Sequence, residues 1–302
     1  MKQIALGTSD VKVTNLGLGC INFGTTTKEE DAHRLIEAYV SRGGNLLDTS
    51  NNYAFWNGGD GRESERVLGH WLKKNPSLRK NLVVATKLGA RPKDLTKGFD
   101  DVQGNGRSTI YEEVEKSLET LHVDTIDLLY LHTDDWNTPL EETLSALNDV
   151  IKKGYVKLIG CSNFRTFRIE QARQICKEHD YPFFSAVQQR YTYLQPVADA
   201  DFGVQVAADS ELKSYFKYYN DLTFVSHTSL LYGVYFGQQI EDINYDTRWN
   251  RKRLEEVQAQ KENRVPWVLK KITEDFGGSV ALFTSSKIEH LIQNIEYFEK
   301  DE

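Results

Sequence analysis

The chain has 302 residues, 39% hydrophobic and 27% charged, a balance that excludes disordered and membrane-embedded classes and leaves two ordinary domains or one large α/β barrel. A formal net charge of −7 lacks the basic footprint that a phosphate backbone requires, so no nucleic-acid partner is expected. No apolar run approaches the roughly 20 residues of a membrane helix, residues 1–13 lack a signal-peptide pattern, and Cys20, Cys161 and Cys176 show no metal or disulfide spacing; the expectation is a cytoplasmic protein with no membrane partner and no metal.

Residues 2–13 alternate apolar and polar around Gly7-Thr8-Ser9-Asp10, which predicts a β-hairpin able to plug the bottom of a barrel. Apolar β-rich runs follow at 15–20, 45–50, 81–88, 126–133, 156–163, 185–189, 222–228 and 279–285. Nearly all are continuous rather than alternating, as in strands buried on both faces of a parallel sheet. Helical patterns follow them at 29–41, 63–74, 110–121, 140–153, 167–179, 204–219, 246–275 and 288–299. Eight strand-then-helix units without a linker predict an α/β fold, a (β/α)8 TIM barrel with an N-terminal β-hairpin, as a single domain over 1–302. The alternative, an open doubly wound sheet, calls for GxGxxG after its first strand, and that strand ends Gly17-Leu18-Gly19-Cys20-Ile21-Asn22 instead.

In such barrels functional groups gather at the carboxyl ends of strands. Asp48 ends the second run, Tyr53 follows five residues later, Lys87 ends the third and His132 the fourth. Singly, each has a structural explanation: a helix cap, a loop filler, a snorkelling lysine, a core histidine. Together, strand ends about 4.8 Å apart bring a carboxylate, an ammonium and an imidazole to one phenol.

The segment Leu47-Asp48-Thr49-Ser50-Asn51-Asn52-Tyr53, followed by Arg62-Glu63-Ser64-Glu65-Arg66-Val67-Leu68-Gly69, resembles the signature of the aldo-keto reductases. Leu16-Gly17-Leu18-Gly19, Ala85-Thr86-Lys87, the run ending Tyr130-Leu131-His132, and Ile159-Gly160-Cys161-Ser162-Asn163-Phe164 are similar to that family in order and spacing. The likeness is specific over the first two thirds and looser after Pro196.

The resemblance implies an NADP(H)-dependent oxidoreductase acting on the carbonyl or alcohol of a small aldehyde, ketone or sugar, with a catalytic tetrad of Asp48, Tyr53, Lys87 and His132. Tyr53 is then the general acid, or the base in reverse. Free tyrosine has a pKa of about 10, so Lys87, held by Asp48, is expected to ease its proton loss while His132 orients and polarises the carbonyl. Ser162, Asn163 and Gln188 are implied to bind the nicotinamide carboxamide, and His227 stands where the family usually has a stacked aromatic; an imidazole there can still stack and can also titrate near neutrality. Thr228 and Leu230 would line the ribose and pyrophosphate path. Ser285, Ser286 and Lys287, with Gln293 and Asn294, resemble the adenosine-phosphate end, where a helix N-terminus beside a lysine favours NADP(H) over NAD(H).

Phe23, Phe55, Trp56 and Trp136, with residues 232–249, are candidates for the substrate pocket, which is expected to lack the long carboxyl-terminal loop of steroid and aldose reductases. Gly58-Gly59-Asp60-Gly61 reads as a flexible connection rather than an anion nest, 248–253 as a solvated helix face, and His33, His70, His122 and His179 carry no role. Two other readings remain: a barrel lyase using Lys87 as a Schiff-base nucleophile, and a nicotinamide-binding regulatory subunit with negligible turnover.

Overall fold

In the computed structural model, which describes residues 1–237, 240 and 244–300, the chain opens with two antiparallel strands, β1 (Gln3–Ala5) and β2 (Lys12–Thr14). It then alternates strand and helix. The strands β3 (Leu16–Gly19), β4 (Leu46–Asp48), β5 (Val83–Leu88), β6 (Ile126–Leu131), β7 (Val156–Ser162), β8 (Ala186–Arg190), β9 (Thr223–His227) and β10 (Val280–Phe283) are parallel, and β10 pairs with β3 to close the barrel. The helices are α1 (Glu29–Val40), α2 (Glu63–Lys74), α3 (Arg107–Leu121), α4 (Leu140–Lys152), α5 (Thr166–His179), α6 (Ser210–Tyr218), α7 (Arg248–Gln258), α8 (Arg264–Glu274) and α9 (Ile288–Glu299). This is the (β/α)8 barrel with an N-terminal hairpin that the sequence predicts. No helix among the described residues is long and apolar enough to cross a membrane.

Every second strand residue faces the barrel axis. Leu46, Ala85, Tyr130, Ala186 and Val225 belong to the apolar cluster that fills the barrel interior, and hairpin residues Leu6, Val11 and Val13 join it. The Gly7 amide donates to the Thr223 hydroxyl at the start of β9 (2.9 Å), so the hairpin seals the amino-terminal end. Two residues further along the same faces stand Asp48, Lys87, His132, Gln188 and His227. The two-residue period therefore stacks a polar layer on an apolar one, at the end where barrel chemistry is done. Gly160 makes room within this stack: a Cβ there would lie 2.6 Å from the Tyr130 ring.

Two helices differ from the sequence pattern. The run 204–219 becomes helical only at Ser210, because the backbone of 206–208 bonds to both sides of Arg190 and extends that edge, and the Asp209 carboxylate caps Leu212 N at 2.8 Å. The run 246–275 breaks after Gln258, with Lys261 at φ +52°, and restarts at Arg264. Pro266, lacking an N–H, fits the first turn of α8 but not the interior of one long helix.

Candidate active site

The segment between β4 and α2 is pinned residue by residue. The Thr49 and Ser64 hydroxyls bond at 2.6 Å, and Ser64 donates to the Cys20 carbonyl at 2.7 Å. Asn51 Nδ2 donates to Glu113 at 2.6 Å, and Asn52 Nδ2 to the Ala90 carbonyl at 3.0 Å. Arg62, bridged to Tyr53 through the backbone, forms ion pairs with the buried carboxylates of Glu65 and Glu113. A segment tied in this way to helices α2 and α3 and to the ends of β3 and β5 holds Tyr53 in place.

At the centre, Lys87 is wholly buried and its ammonium donates to Asp48 Oδ1 (2.5 Å), the Thr49 carbonyl (2.8 Å) and the Tyr53 hydroxyl (2.8 Å). An ammonium has three protons, and all are used. The Tyr53 oxygen accepts from Lys87, which leaves its own proton to be given elsewhere. Asp48 Oδ2 accepts from Gln188 Nε2 at 3.0 Å, so both carboxylate oxygens are engaged. Burial pulls Lys87 below the ordinary lysine value, against the opposing pull of Asp48. Burial, and then the Asp48 carboxylate, push the Tyr53 phenol well above its ordinary value. Tyr53 is therefore a protonated phenol, a stored donor, and the net shift is opposite to the eased ionisation expected from Lys87 alone.

His132 lies edge-on to Tyr53, ring centroids 5.9 Å apart, with Nδ1 3.1 Å from Ser50 Oγ; burial, then Lys87 and His227, hold it well below the usual histidine range. Asn163, at φ +59°, joins the strand ends: its Nδ2 donates to the His132 carbonyl (2.9 Å) and Ser162 Oγ (3.1 Å), and its Oδ1 accepts from Val206 N (3.1 Å) and lies 3.3 Å from His227 Nε2. His227 Nδ1 bonds Thr228 Oγ1 at 2.9 Å, and burial, then Arg190 and Lys87, push the ring down to about 3. Of the two behaviours open to an imidazole here, this shift disfavours titration near neutrality and leaves His227 a neutral ring at the barrel mouth.

Ser285, Ser286 and Lys287 lead into α9, whose first-turn N–H groups have no side-chain cap. Ser285 Oγ bonds Lys287 backbone atoms, Gln293 Nε2 donates to the Glu262 carbonyl (2.7 Å), and Asn294 is buried. Phe236 lies 5.7 Å from the ring of His290 and leads the loop after β9 toward this helix end. Leu230 and Thr228, the latter at φ +57°, form the turn between the two regions.

The pocket candidates divide. Phe55 and Trp56 stand beside Tyr53, with Trp56 6.5 Å from its ring and half exposed, and Phe99, which the sequence reading missed, packs 5.2 Å from Phe55 and 6.4 Å from Trp56. Phe99 comes from a loop stapled at its base by Lys93 N to the Asp101 carbonyl (2.8 Å), a contact no local pattern announces. Phe23 is corrected to a core residue, 2% exposed. Trp136 stacks on Arg168 at 4.6 Å and lines a cavity of about 410 Å³ between α4 and α5 whose lining does not include Tyr53 or His132. Within 232–249, residues 238, 239 and 241–243 lie outside the described residues.

A cavity of about 970 Å³ opens beside the β8–α6 connection, lined by Arg190, Tyr191, Phe202 and Gln205 rather than by Tyr53 or Lys87, so volume does not mark the chemistry here. The amides of Asp60 and Gly61 are taken by the Glu63 carboxylate (2.7 and 2.9 Å), which fills the glycine-rich turn from within. Arg251 pairs with Asp246, and Arg253 covers the Tyr193 ring. Among the described residues no group of three or more His, Cys, Asp or Glu side chains is arranged to hold a metal.

A closed barrel of eight parallel strands with a polar layer at their carboxyl ends defines a TIM-barrel protein with its candidate site at that end. Within that class the chain belongs to the Aldo/keto reductase family, whose sequence model matches residues 15–302. It is 29% identical to "Uncharacterized oxidoreductase YrpG" of Bacillus subtilis, over 70% of this chain and 67% of that protein. It is 30% identical to "Aldo-keto reductase ausK" of Aspergillus calidoustus, over 66% of this chain and 51% of that one, so it spans about half the length of this fungal relative. Its fold is similar to that of the aldo-keto reductase AKR11C1 from Bacillus halodurans (holo form), with a TM-score of 0.77 and 22% identity over 99% of this chain and 91% of that one.

Proposed function

We propose that the protein is an NADP(H)-dependent carbonyl reductase, equally an alcohol dehydrogenase in reverse, acting on small aldehydes, ketones or sugars, with Tyr53 as the proton donor. The observation that carries the reading is the threefold bonding of the Lys87 ammonium, which seats it against Asp48, the Thr49 carbonyl and the Tyr53 hydroxyl oxygen. The donor set suits the cofactor: an uncapped helix N-terminus beside Ser285, Ser286 and Lys287 fits a 2′-phosphate, and the amides of Asn163 and Gln188 with Ser162 and the neutral His227 ring fit an uncharged carboxamide and its ring. Thr228 and Leu230 lie on the path between the two ends, with Gln293 and Asn294 on the helix that receives the adenosine. Bound nicotinamide supplies the hydride.

The chain's own part is to hold a carbonyl between Tyr53 and His132, with Phe55 and Trp56 as the wall, and to give the Tyr53 proton to the oxygen as negative charge develops there. The Lys87 hydrogen bond stabilises the phenolate left behind, and Asp48 keeps Lys87 in place. A Schiff-base role for Lys87 is disfavoured, because the amine is wholly buried and has no proton or orientation to spare. The barrel is proposed to act as one domain in the cytoplasm. Tyr53→Phe is expected to lower turnover about 10²- to 10⁴-fold while NADPH still binds; NADPH consumption with a panel of aldehydes, ketones and sugars, alongside fluorescence titration of the cofactor, measures both. Undiminished turnover in this variant removes Tyr53 from its role.

A further inference from the structure

The buried face of α3 is a stripe of Ile110, Val114, Ser117 and Leu121, and Glu113 stands in the same stripe with 2% of its surface exposed. A carboxylate at a core-facing helix position is destabilising unless charge and hydrogen bonds answer it. Here four donors do. Oε2 accepts from the Arg62 guanidinium and from Asn51 Nδ2 (2.6 Å), and Oε1 accepts from Gln103 Nε2 (3.1 Å) and the Lys116 ammonium (3.5 Å). A carboxylate offers about four acceptor sites, so its capacity is filled. Burial opposes ionisation, but Arg62, then the Asn51 and Gln103 amides, outweigh it and hold the carboxyl below its ordinary value. Both amides serve the anion at the expense of their own oxygens: Asn51 Oδ1 and Gln103 Oε1 are buried with no hydrogen-bond partner among the described residues. Stability alone does not favour leaving two acceptors bare to satisfy one anion. The use of Glu113 lies in what its contacts hold.

Asn51 and Arg62 are the two ends of segment 51–62, which carries Tyr53, Phe55 and Trp56, and Tyr53 pairs with Arg62 through the backbone. One helix side chain therefore draws both ends of that segment to a single point. Gln103 stands at the base of a second segment, where its N–H donates to the Arg91 carbonyl (2.9 Å) and Pro92 pairs with Val102. This arm brings Phe99 against Phe55 and Trp56. Glu113 thus joins the two segments that supply the phenol and the aromatic wall.

We propose that Glu113 is a positioning residue for the reaction, which acts through Asn51 and Arg62 to fix the Tyr53 phenol against Lys87 and through Gln103 to set the Phe99 arm against the same segment. It need not touch substrate to do so, because a phenol displaced by about 1 Å can cost on the order of 10²-fold in rate. The effect on rate rests on Tyr53 being the proton donor; the seating of its ring does not.

Glu113→Gln keeps the size of the side chain but sets an NH2 among donors. Asn51→Ala cuts the same tie while leaving the Arg62–Glu113 ion pair, and serves where Glu113→Gln does not fold. Val114→Ala, the next residue on the helix, removes core packing without touching the four contacts, and reports what a loosened α3 does by itself. In the full chain labelled with ¹³C at tyrosine Cζ, the Tyr53 signal, assigned by its loss in Tyr53→Phe, is expected to move in Glu113→Gln and Asn51→Ala and to stay in place in Val114→Ala. A signal unmoved in either of the first two, or moved as far in the third, overturns the proposal. With NADPH and the best carbonyl of the panel, single-turnover reduction is expected to slow about 10- to 100-fold in Glu113→Gln while NADPH affinity is kept. Adding Asn51→Ala is expected to slow it no further, since both changes cut one tie. An unchanged rate, or losses that multiply, overturns the proposal as well. A wild type that reduces no carbonyl overturns the reductase reading instead, and the seating of Tyr53 by Glu113 then stands or falls on the carbon signal.

Discussion

Asp48 and Lys87 form an ion pair that is almost wholly out of water, and removing one partner strands the other. Lys87→Met keeps most of the side-chain volume but leaves the Asp48 carboxylate with only the Gln188 amide, so unfolding in urea is expected to become easier by about 3–5 kcal/mol. Replacing both charges, Asp48→Asn with Lys87→Met, removes the stranded charge, and the double variant is expected to be more stable than Lys87→Met alone. Equal or lower stability in the double variant would show that the cost of Lys87→Met is lost packing. At this scale Asp48, Lys87 and His132 were legible because each ends an apolar run, and Tyr53 because of the motif around it. Ser50, Asn52, Glu113 and Phe99 were not, since their work lies in contacts with residues distant in the chain, such as Ala90, His132 and Phe55. Trp136 and Phe23 misled for the same reason: an aromatic near a strand end reads alike whether it faces the cleft, an arginine or the core.

Helix α2 continues the segment that carries Tyr53, and its seat against α3 sets where that segment ends. The contact is made through Gly69, where a Cβ would lie 2.1 Å from the Thr120 carbonyl oxygen and 2.9 Å from Leu121 Cα. These are backbone atoms at the end of α3 and cannot rotate away. Gly69→Ala, which gains helix propensity on an isolated helix, is therefore expected to lower stability here by at least about 1–3 kcal/mol and to reduce turnover by moving the Tyr53 segment. An unchanged melting temperature would show that the two helices can part without loss. Most elements were readable from their apolar runs, with strand ends frayed by a residue or two. The failures at 204–219 and 246–275 have nonlocal causes, a strand edge at Arg190 that captures 206–208 and a turn that lets the chain restart at Arg264. Helical periodicity persists through both.

Across the whole molecule, the barrel buries an apolar layer below and a polar layer above, and the polar layer holds two histidines in neutral form. The closure of the barrel was legible from eight repeated units, but the neutrality of these rings was not, because it depends on the barrel walls and on Lys87 and Arg190 all being present. Neutrality links stability to pH. His227 binds its proton with a pKa of about 3 when folded and about 6.5 when unfolded. Between these values the unfolded chain holds more protons, so stability is full above the unfolded value and falls as pH is lowered through it. From pH 7 to pH 5 this one ring is expected to account for about 2 kcal/mol of lost stability, and His132, shifted the same way, adds to it. His227→Tyr puts a group that does not titrate in this range at the same position. Urea midpoints at pH 7 and pH 5 should therefore show a smaller drop in the variant than in the wild type, by about that amount, whatever the variant does to stability at either pH alone. Carboxylates contribute equally to both proteins and cancel in the comparison. Parallel pH dependence would mean that His227 reaches water and takes up its proton in the folded state.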